Sequence, residues 1–235
     1  MDKNIKGYIL LIPTVISNDT LSQIPEQTLK CIHETSHFVV ERLRTARRFI
    51  KTTNPPYEIS SLSIIEIDKN SSDYIHTAIQ WLKDGHNVGI ISESGMPGIA
   101  DPGSEFVKRA HTKGYRIRPM VGPSSIFLSL AASGLNGQNF CFNGYLPIKD
   151  NELKASLKRL ESLVLKSKQT QIFIETPYRN DRMFEFLIKN LNPNILLCVA
   201  KDITGSSEII LTKTISEWKR INFEIGKIPT IFLLG

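Results

Sequence analysis

Residues 87–103 read Asn87-Val88-Gly89-Ile90-Ile91-Ser92-Glu93-Ser94-Gly95-Met96-Pro97-Gly98-Ile99-Ala100-Asp101-Pro102-Gly103. The opening NVGII is a β-branched run and predicts a buried parallel strand. The next twelve residues hold three glycines and two prolines. Such a loop lets the backbone approach a ligand closely while staying stiff. A plain strand-to-helix turn, with Gly103 near the helix start, is the alternative reading. Before the strand, Ser71 to Lys83 carries Ile75, Ile79 and Leu82 at helical spacing and stops at Gly85. After the loop, Ser104 to Lys113 turns Phe106, Val107 and Ala110 inward and Lys108, Arg109 and Lys113 outward. Gly114 ends it, and Tyr115 to Met120 is the next strand. Strand, loop, helix and strand in this order predict a βαβ unit.

Nearer the N-terminus, Gly7 to Thr14 predicts a first buried strand and Pro25 to Ile32 a short helix. Phe38–Val40 suits a second strand, and Thr53 to Tyr57, with two adjacent prolines, is irregular. Downstream, helices are expected at Ser124 to Ser133, Leu153 to Lys166, Asn180 to Asn190 and Ile215 to Arg220. Strands are expected at Phe140 to Tyr145, Thr170 to Glu175, Ile195 to Ala200, Ile209 to Leu211 and Pro229 to Leu234. The second half thus reads in the style of the first. The fold class is α/β, with a boundary expected between residues 1–120 and 121–235, where the strand ends in Gly122-Pro123-Ser124.

Several function classes drop out. No stretch approaches the roughly 18 apolar residues of a membrane span, and the apolar run near the N-terminus is too short for a signal peptide. Cys31, Cys141 and Cys198 are odd in number and far apart, so a disulfide framework is not expected and a reducing, cytoplasmic setting is. There is no G-x-G-x-x-G after the first strand, no P-loop, no H-E-x-x-H and no G-x-S-x-G. His33 and His37 are spaced for one helix face, but no third ligand lies nearby, so no metal is expected. The net charge of +6 is compatible with a nucleic-acid partner. Arg42, Arg44, Arg47, Arg48 and Lys51 form a run with no acidic residue among them. They read as phosphate-binding residues or as a solvated helix face.

Ligands of open α/β sheets bind outside the carboxyl ends of the strands, which directs attention to the loops after Ile91, Met120, Glu175 and Ala200. SESGMPGIADPG resembles the S-D-A-G-T-P-x-I-S-D-P-G loop of the ribosomal-RNA 2′-O-methyltransferases in the tetrapyrrole-methylase superfamily. RPMVGPSSIFLSLAASGL, FCFNGYLPIK, IFIETPYRN and AKDITGSSEIILTKTISEW resemble four further segments of those enzymes, in the same order, from Gly7 to Leu234. The resemblance implies two α/β domains with S-adenosylmethionine in the cleft between them. It places cofactor contacts on Gly95, Met96, Pro97 and Ile99, and on Ser124, Ser125 and Ile126. Further contacts are implied near Glu175, Ala200, Pro229 and Thr230. It also implies a homodimer, with ribosomal RNA or the small ribosomal subunit as partner.

The acceptor side departs from the family pattern. The family's T-P-I-G-N-L stands here as Ile12-Pro13-Thr14-Val15-Ile16-Ser17-Asn18. Its E-D-T-R-x-T-R stands as Glu41-Arg42-Leu43-Arg44-Thr45-Ala46-Arg47. The small domain that those enzymes carry beyond this point is not expected here. A ribose hydroxyl is a poor nucleophile and gains from a placed base. Glu41 and Glu93 are the candidates, with Asp101 a third, and bracing of the loops is their alternative role. Methylation of a tetrapyrrole or other small molecule on the same fold, and RNA binding without catalysis, are the rival functions.

Overall fold

The computed structural model describes residues 7–17, 21–68 and 70–235. The segment Met1–Lys6 and position Asn18 lie outside the described residues. The chain divides into two compact units, Met1–Ser124 and Ser125–Gly235.

The first unit runs β1 (Tyr8–Ile12), α1 (Glu26–His33), β2 (His37–Val40), α2 (Leu43–Thr52), β3 (Ser63–Glu66), α3 (Asp73–Lys83), β4 (Val88–Ile91), α4 (Ser104–Thr112) and β5 (Arg116–Pro119). Its five strands are parallel, in the order β3-β2-β4-β1-β5. Residue alternation sorts the core into two layers. Ile9, Val88 and Ile90 pack with Ile79, Leu82 and Phe106 of α3 and α4. Leu10, Ile12, Phe38 and Ile91 pack with Ile32, Ala46 and Ile50 of α1 and α2. Full burial of each large side chain stabilises by about 1.5–3 kcal/mol, so a one-residue slip of β1, which would exchange its two faces, is strongly disfavoured. Gly89 lies where the sheet leaves no room for a side chain. A Cβ there would lie 2.8 Å from Ile12 Cδ1 and from Phe38 Cδ1.

β3 has no counterpart among the strands expected from the sequence. It is four residues long, lies at the sheet edge and is only half-buried throughout. Its role is visible at its end. Glu66 accepts a hydrogen bond from Leu43 N at 2.8 Å and pairs with Arg42 at 3.3 Å. A carboxylate thus satisfies the positive N-terminus of α2. His33 and His37 do not share a helix. His33 ends α1 and bonds Thr53 O at 2.9 Å, whereas His37 opens β2 and stacks on His86.

The second unit contains α5 (Ser125–Ser133), β6 (Phe140–Tyr145), α6 (Asp150–Ser167), β7 (Thr170–Ile174), α7 (Asn180–Asn190), β8 (Leu196–Lys201), β9 (Ile209–Thr214), α8 (Ile215–Trp218) and β10 (Thr230–Leu234). Its sheet is mixed, in the order β6-β7-β10-β8-β9, and only β6 and β7 form a parallel pair. The likeness in style to the first half therefore stops at β8. No helix separates β8 from β9, so they pair as an antiparallel hairpin. Asp202 closes that turn by accepting from Ser207 N at 2.9 Å, and a Cβ on Gly205 would collide with the Asp202 carboxylate. Leu157, Leu160, Leu187 and Trp218 cover one face of the sheet, and Ile126 and Leu130 of α5 cover the other. Trp218 is fully buried, and its indole N–H donates to Leu197 O at 2.8 Å. α6 begins at Asp150, before the expected Leu153, with Asp150 and Glu152 in its first turn where the helix dipole favours them. No helix among the described residues is long and apolar enough to cross a membrane.

Candidate active site

Because all five strands of the first unit run parallel, the loops after β1, β4 and β5 leave from one end of the sheet. Thr14 N donates to Gly95 O at 2.9 Å. A Cβ on Gly95 would stand 3.5 Å from Pro123 O, and one on Gly122 would run into the Pro13 ring. Gly95 and Gly98 have φ of 70° and 82°, in the left-handed region that favours glycine. Ala100 shares that region at 65°, an uncommon conformation for a residue with a side chain. Gly103, at φ 121°, opens α4 as its N-cap. The loop is therefore a stiffly held backbone arch and also the start of a helix.

Two cavities flank this arch. One, of about 710 Å³, is apolar and includes Met96, Pro97, Ile99 and Val107 in its wall. The other, of about 330 Å³, is polar and lined by Glu41, Arg42, Glu66, Asp68 and Pro102 among others. Of the two expected carboxylates, Glu41 lines this second cavity and Glu93 is joined to it through its backbone. Glu41 accepts a hydrogen bond from Glu93 N at 3.1 Å, and Glu93 accepts from Thr45 Oγ1 at 3.3 Å. Glu41 N in turn donates to Ile91 O at 3.0 Å, extending the β2–β4 ladder by one step. So Glu41 grips the backbone of the loop, while the Glu93 carboxylate is exposed above it.

α2 begins beside these groups. Ala46, Phe49 and Ile50 form its buried face, and Arg44, Arg47, Arg48 and Lys51 are exposed. Arg42 differs from the others, since Glu66 partly neutralises it. The acid that the run lacks in sequence is supplied from β3.

In the second unit, Glu175, Ala200, Pro229 and Thr230 come to one end of the sheet. The register pairs Ile231 with both Ile174 and Ala200, and Thr230 with Lys201. Ala200 is fully buried, in the same core cluster as Ile126. Glu175 is committed locally: it accepts from Thr176 N and from Arg179 Nη2, each at 2.6 Å. Thr230 is buried and accepts from Asn180 Nδ2 at 3.3 Å, while Pro229 is exposed. Ser124 precedes α5, Ser125 is its first residue, and both are partly exposed.

Sequence reasoning passed over five residues of these sites: Thr14, Thr45, Glu66, Arg179 and Asn180. Thr14 is buried, and its hydroxyl has no hydrogen-bond partner among the described residues; the same holds for the side-chain oxygen of Asn180. Buried polar atoms are usually satisfied, so each of these two orphans fits a ligand contact. The Glu175–Arg179 pair had a readable signal, an acid and a base four residues apart around a proline. Glu66 had none, because it reaches α2 only through strand pairing.

Comparison with known proteins adds to this geometry. The family profile described as Tetrapyrrole (Corrin/Porphyrin) Methylases matches residues 22–219. The chain is 29% identical over 215 residues to the ribosomal RNA small subunit methyltransferase I of Bacillus subtilis (strain 168), covering 92% of this chain and 70% of that protein. It is 30% identical over 207 residues to the protein of the same name from Buchnera aphidicola subsp. Schizaphis graminum (strain Sg), covering 88% and 69%. Among solved structures, the methyltransferase CobJ matches with a TM-score of 0.65 at 20% identity, covering 97% of this chain and 94% of that one. The cobalt precorrin-4 methyltransferase CbiF matches with 0.61 at 16% identity, covering 99% and 95%. These last two likenesses concern the fold. With a family match over most of its length and a stiff glycine arch at the strand ends, the chain belongs to the tetrapyrrole (corrin/porphyrin) methylases and is a methyltransferase.

Proposed function

We propose that this methyltransferase uses S-adenosylmethionine to methylate a ribose 2′-hydroxyl of small-subunit ribosomal RNA. The observation that carries the reading is the juxtaposition of Glu93 with α2. The exposed Glu93 carboxylate accepts from Thr45 while Glu41 holds the Glu93 backbone N–H, beside a helix whose outer face bears Arg44, Arg47, Arg48 and Lys51. The names of the relatives, matched over 88–92% of this chain, support the same acceptor.

S-adenosylmethionine supplies an electrophilic methyl on a sulfonium when bound. Gly95, Met96, Pro97 and Ile99 are assigned to hold it, with Ser124, Ser125, Ile126, Glu175, Ala200, Pro229 and Thr230. The orphaned Thr14 hydroxyl beside Gly95, and the open space where a Gly98 Cβ would stand, fit that assignment. Glu93 would take the proton from the ribose hydroxyl, whose oxygen the bound cofactor would methylate. Glu41 fixes the loop that carries Glu93. Arg42, Arg44, Arg47 and Arg48 hold phosphates, which orders the acceptor before reaction. The chain acts in the cytoplasm as a homodimer in this reading. Sedimentation showing only monomer at micromolar concentration would remove the dimer from it.

The test is radiolabelled methyl transfer to small ribosomal subunits, naked ribosomal RNA and tetrapyrroles in parallel, followed by alkaline hydrolysis. Label in a hydrolysis-resistant dinucleotide is expected, since a methylated 2′-oxygen cannot attack the adjacent phosphate. Label on a tetrapyrrole alone overturns the RNA reading.

A further inference from the structure

The second unit carries a cavity that none of the assigned roles uses. It lies beyond the carboxyl ends of β6 and β7, the parallel pair, where α/β folds place ligands. Its volume is about 580 Å³, and Tyr145, Ile148, Thr176 and Arg179 are in its wall. Tyr145 and Ile148 are each 58% exposed. The pairing of β6 with β7 shifts register between Phe142 and Tyr145, and Gly144 has φ 65°. Bulges of this kind re-aim a side chain at a strand end, here Tyr145. Beyond Thr176, Tyr178 is 81% exposed, and the Lys227 ammonium stands 5.3 Å from its ring centroid.

Arg179 is pre-set for recognition. Nη2 is held by Glu175 at 2.6 Å and Nε donates to Thr176 Oγ1 at 3.1 Å. Its Nη1 has no partner among the described residues, and the side chain keeps 26% of its exposure. A guanidinium fixed in this way presents free donors at little entropic cost. Exposed tyrosine rings beside fixed or ring-stacked cations are the features with which proteins hold unstacked bases.

We infer that this cavity receives an unpaired nucleotide of the RNA acceptor, with its base stacked on Tyr178 or Tyr145 and its polar edge or phosphate on Arg179 and Lys227. The inference rests on the RNA reading above and adds a second contact point in the other unit. The chemistry selects RNA over an apolar protein segment, because the Arg179 guanidinium in the cavity wall would be desolvated without compensation under a purely apolar partner.

The probe is a short single-stranded oligoadenylate containing one fluorescent adenine analogue, whose emission is quenched by stacking. Wild type, Tyr145→Ala, Tyr178→Ala and Tyr178→Phe are compared for quenching and affinity. S-adenosylmethionine affinity is measured by calorimetry, and methyl transfer to small ribosomal subunits is measured separately. Base stacking on an aromatic ring corresponds to roughly 5- to 150-fold in affinity. Loss of quenching and weakening in that range are expected for at least one alanine variant, with Tyr178→Phe like wild type and cofactor affinity unchanged throughout. Both tyrosines are more than half-exposed, so the variants should keep wild-type melting curves. Unaltered oligonucleotide affinity and quenching in both alanine variants overturns the platform, even where wild type methylates subunits. Failure of wild type to label subunits instead strikes the RNA reading itself, and quenching that persists in the Tyr178→Ala, Tyr145→Ala double variant strikes the platform alone.

Discussion

Replacing Glu41 and Glu93 by glutamine, one at a time, separates bracing from proton transfer. Glu41 touches its neighbour through one hydrogen bond, from Glu93 N to Oε2 at 3.1 Å. Glutamine keeps an oxygen acceptor there and loses only the charge. A hydrogen bond to a charged group contributes about 1.5–3 kcal/mol and a neutral one about 0.5–1.5. The difference is about 1 kcal/mol, or roughly fivefold in rate if it is expressed entirely in the transition state. Removing a general base costs about 10²–10⁴. Single-turnover methyl transfer to small ribosomal subunits, with cofactor saturating, should therefore show Glu41→Gln within about tenfold of wild type. Glu93→Gln should fall by at least about a hundredfold. Two results would defeat the reasoning: a Glu41→Gln variant as slow as Glu93→Gln, or a Glu93→Gln variant nearly as fast as wild type.

Converting Arg44, Arg47 and Arg48 to Ala should weaken RNA binding and lower the salt slope by about 0.7–0.9 for each phosphate no longer held; parallel salt curves of equal affinity would remove α2 from the RNA surface. Gly122→Ala drives a methyl into the Pro13 ring, and urea unfolding should show a loss of about 1–3 kcal/mol or a displaced loop with weakened cofactor binding. No change in either would mean the two loops part freely. His37 has its pKa lowered from 6.5, first by burial and then by His86, with Asp84 opposing. The unfolded chain then binds more protons between the folded value and 6.5, so stability is full above 6.5 and falls as pH drops through the folded value. Urea midpoints between about pH 5 and about pH 8 should slope less in His37→Phe than in wild type, and identical slopes would show that His37 does not titrate on folding.

The βαβ core around β4 was legible because its apolar runs, glycine stops and amphipathic helices agree with one another. β3 was not, since Ser63–Glu66 has two isoleucines and no alternation long enough to show a period. The mixed second sheet was hidden for a different reason. Strand direction depends on the connection, and residues 202–208 are too few for a crossover. At the site, the loop chemistry was readable from glycine and proline. The partners of Glu41, Glu93 and Arg42 were not, because each lies more than twenty residues away in sequence. The basic run looked unneutralised until β3 brought Glu66 to its first member.

The outer strands of the first unit's sheet also bear on how copies of the chain meet. β3 offers only four residues and ends in a carboxylate engaged with α2. β5 carries Arg116 and Arg118 and finishes on Pro119, with the Arg118 guanidinium 5.3 Å from the Tyr8 ring centroid. Short length, cations and a missing N–H are the features by which sheet rims refuse an incoming strand. Two molecules brought together at high concentration therefore have no zipper to extend at these rims. A second copy docking on this sheet would need a surface other than β3 and β5, so these rims give a crowded, freshly synthesised population no template for growing fibres.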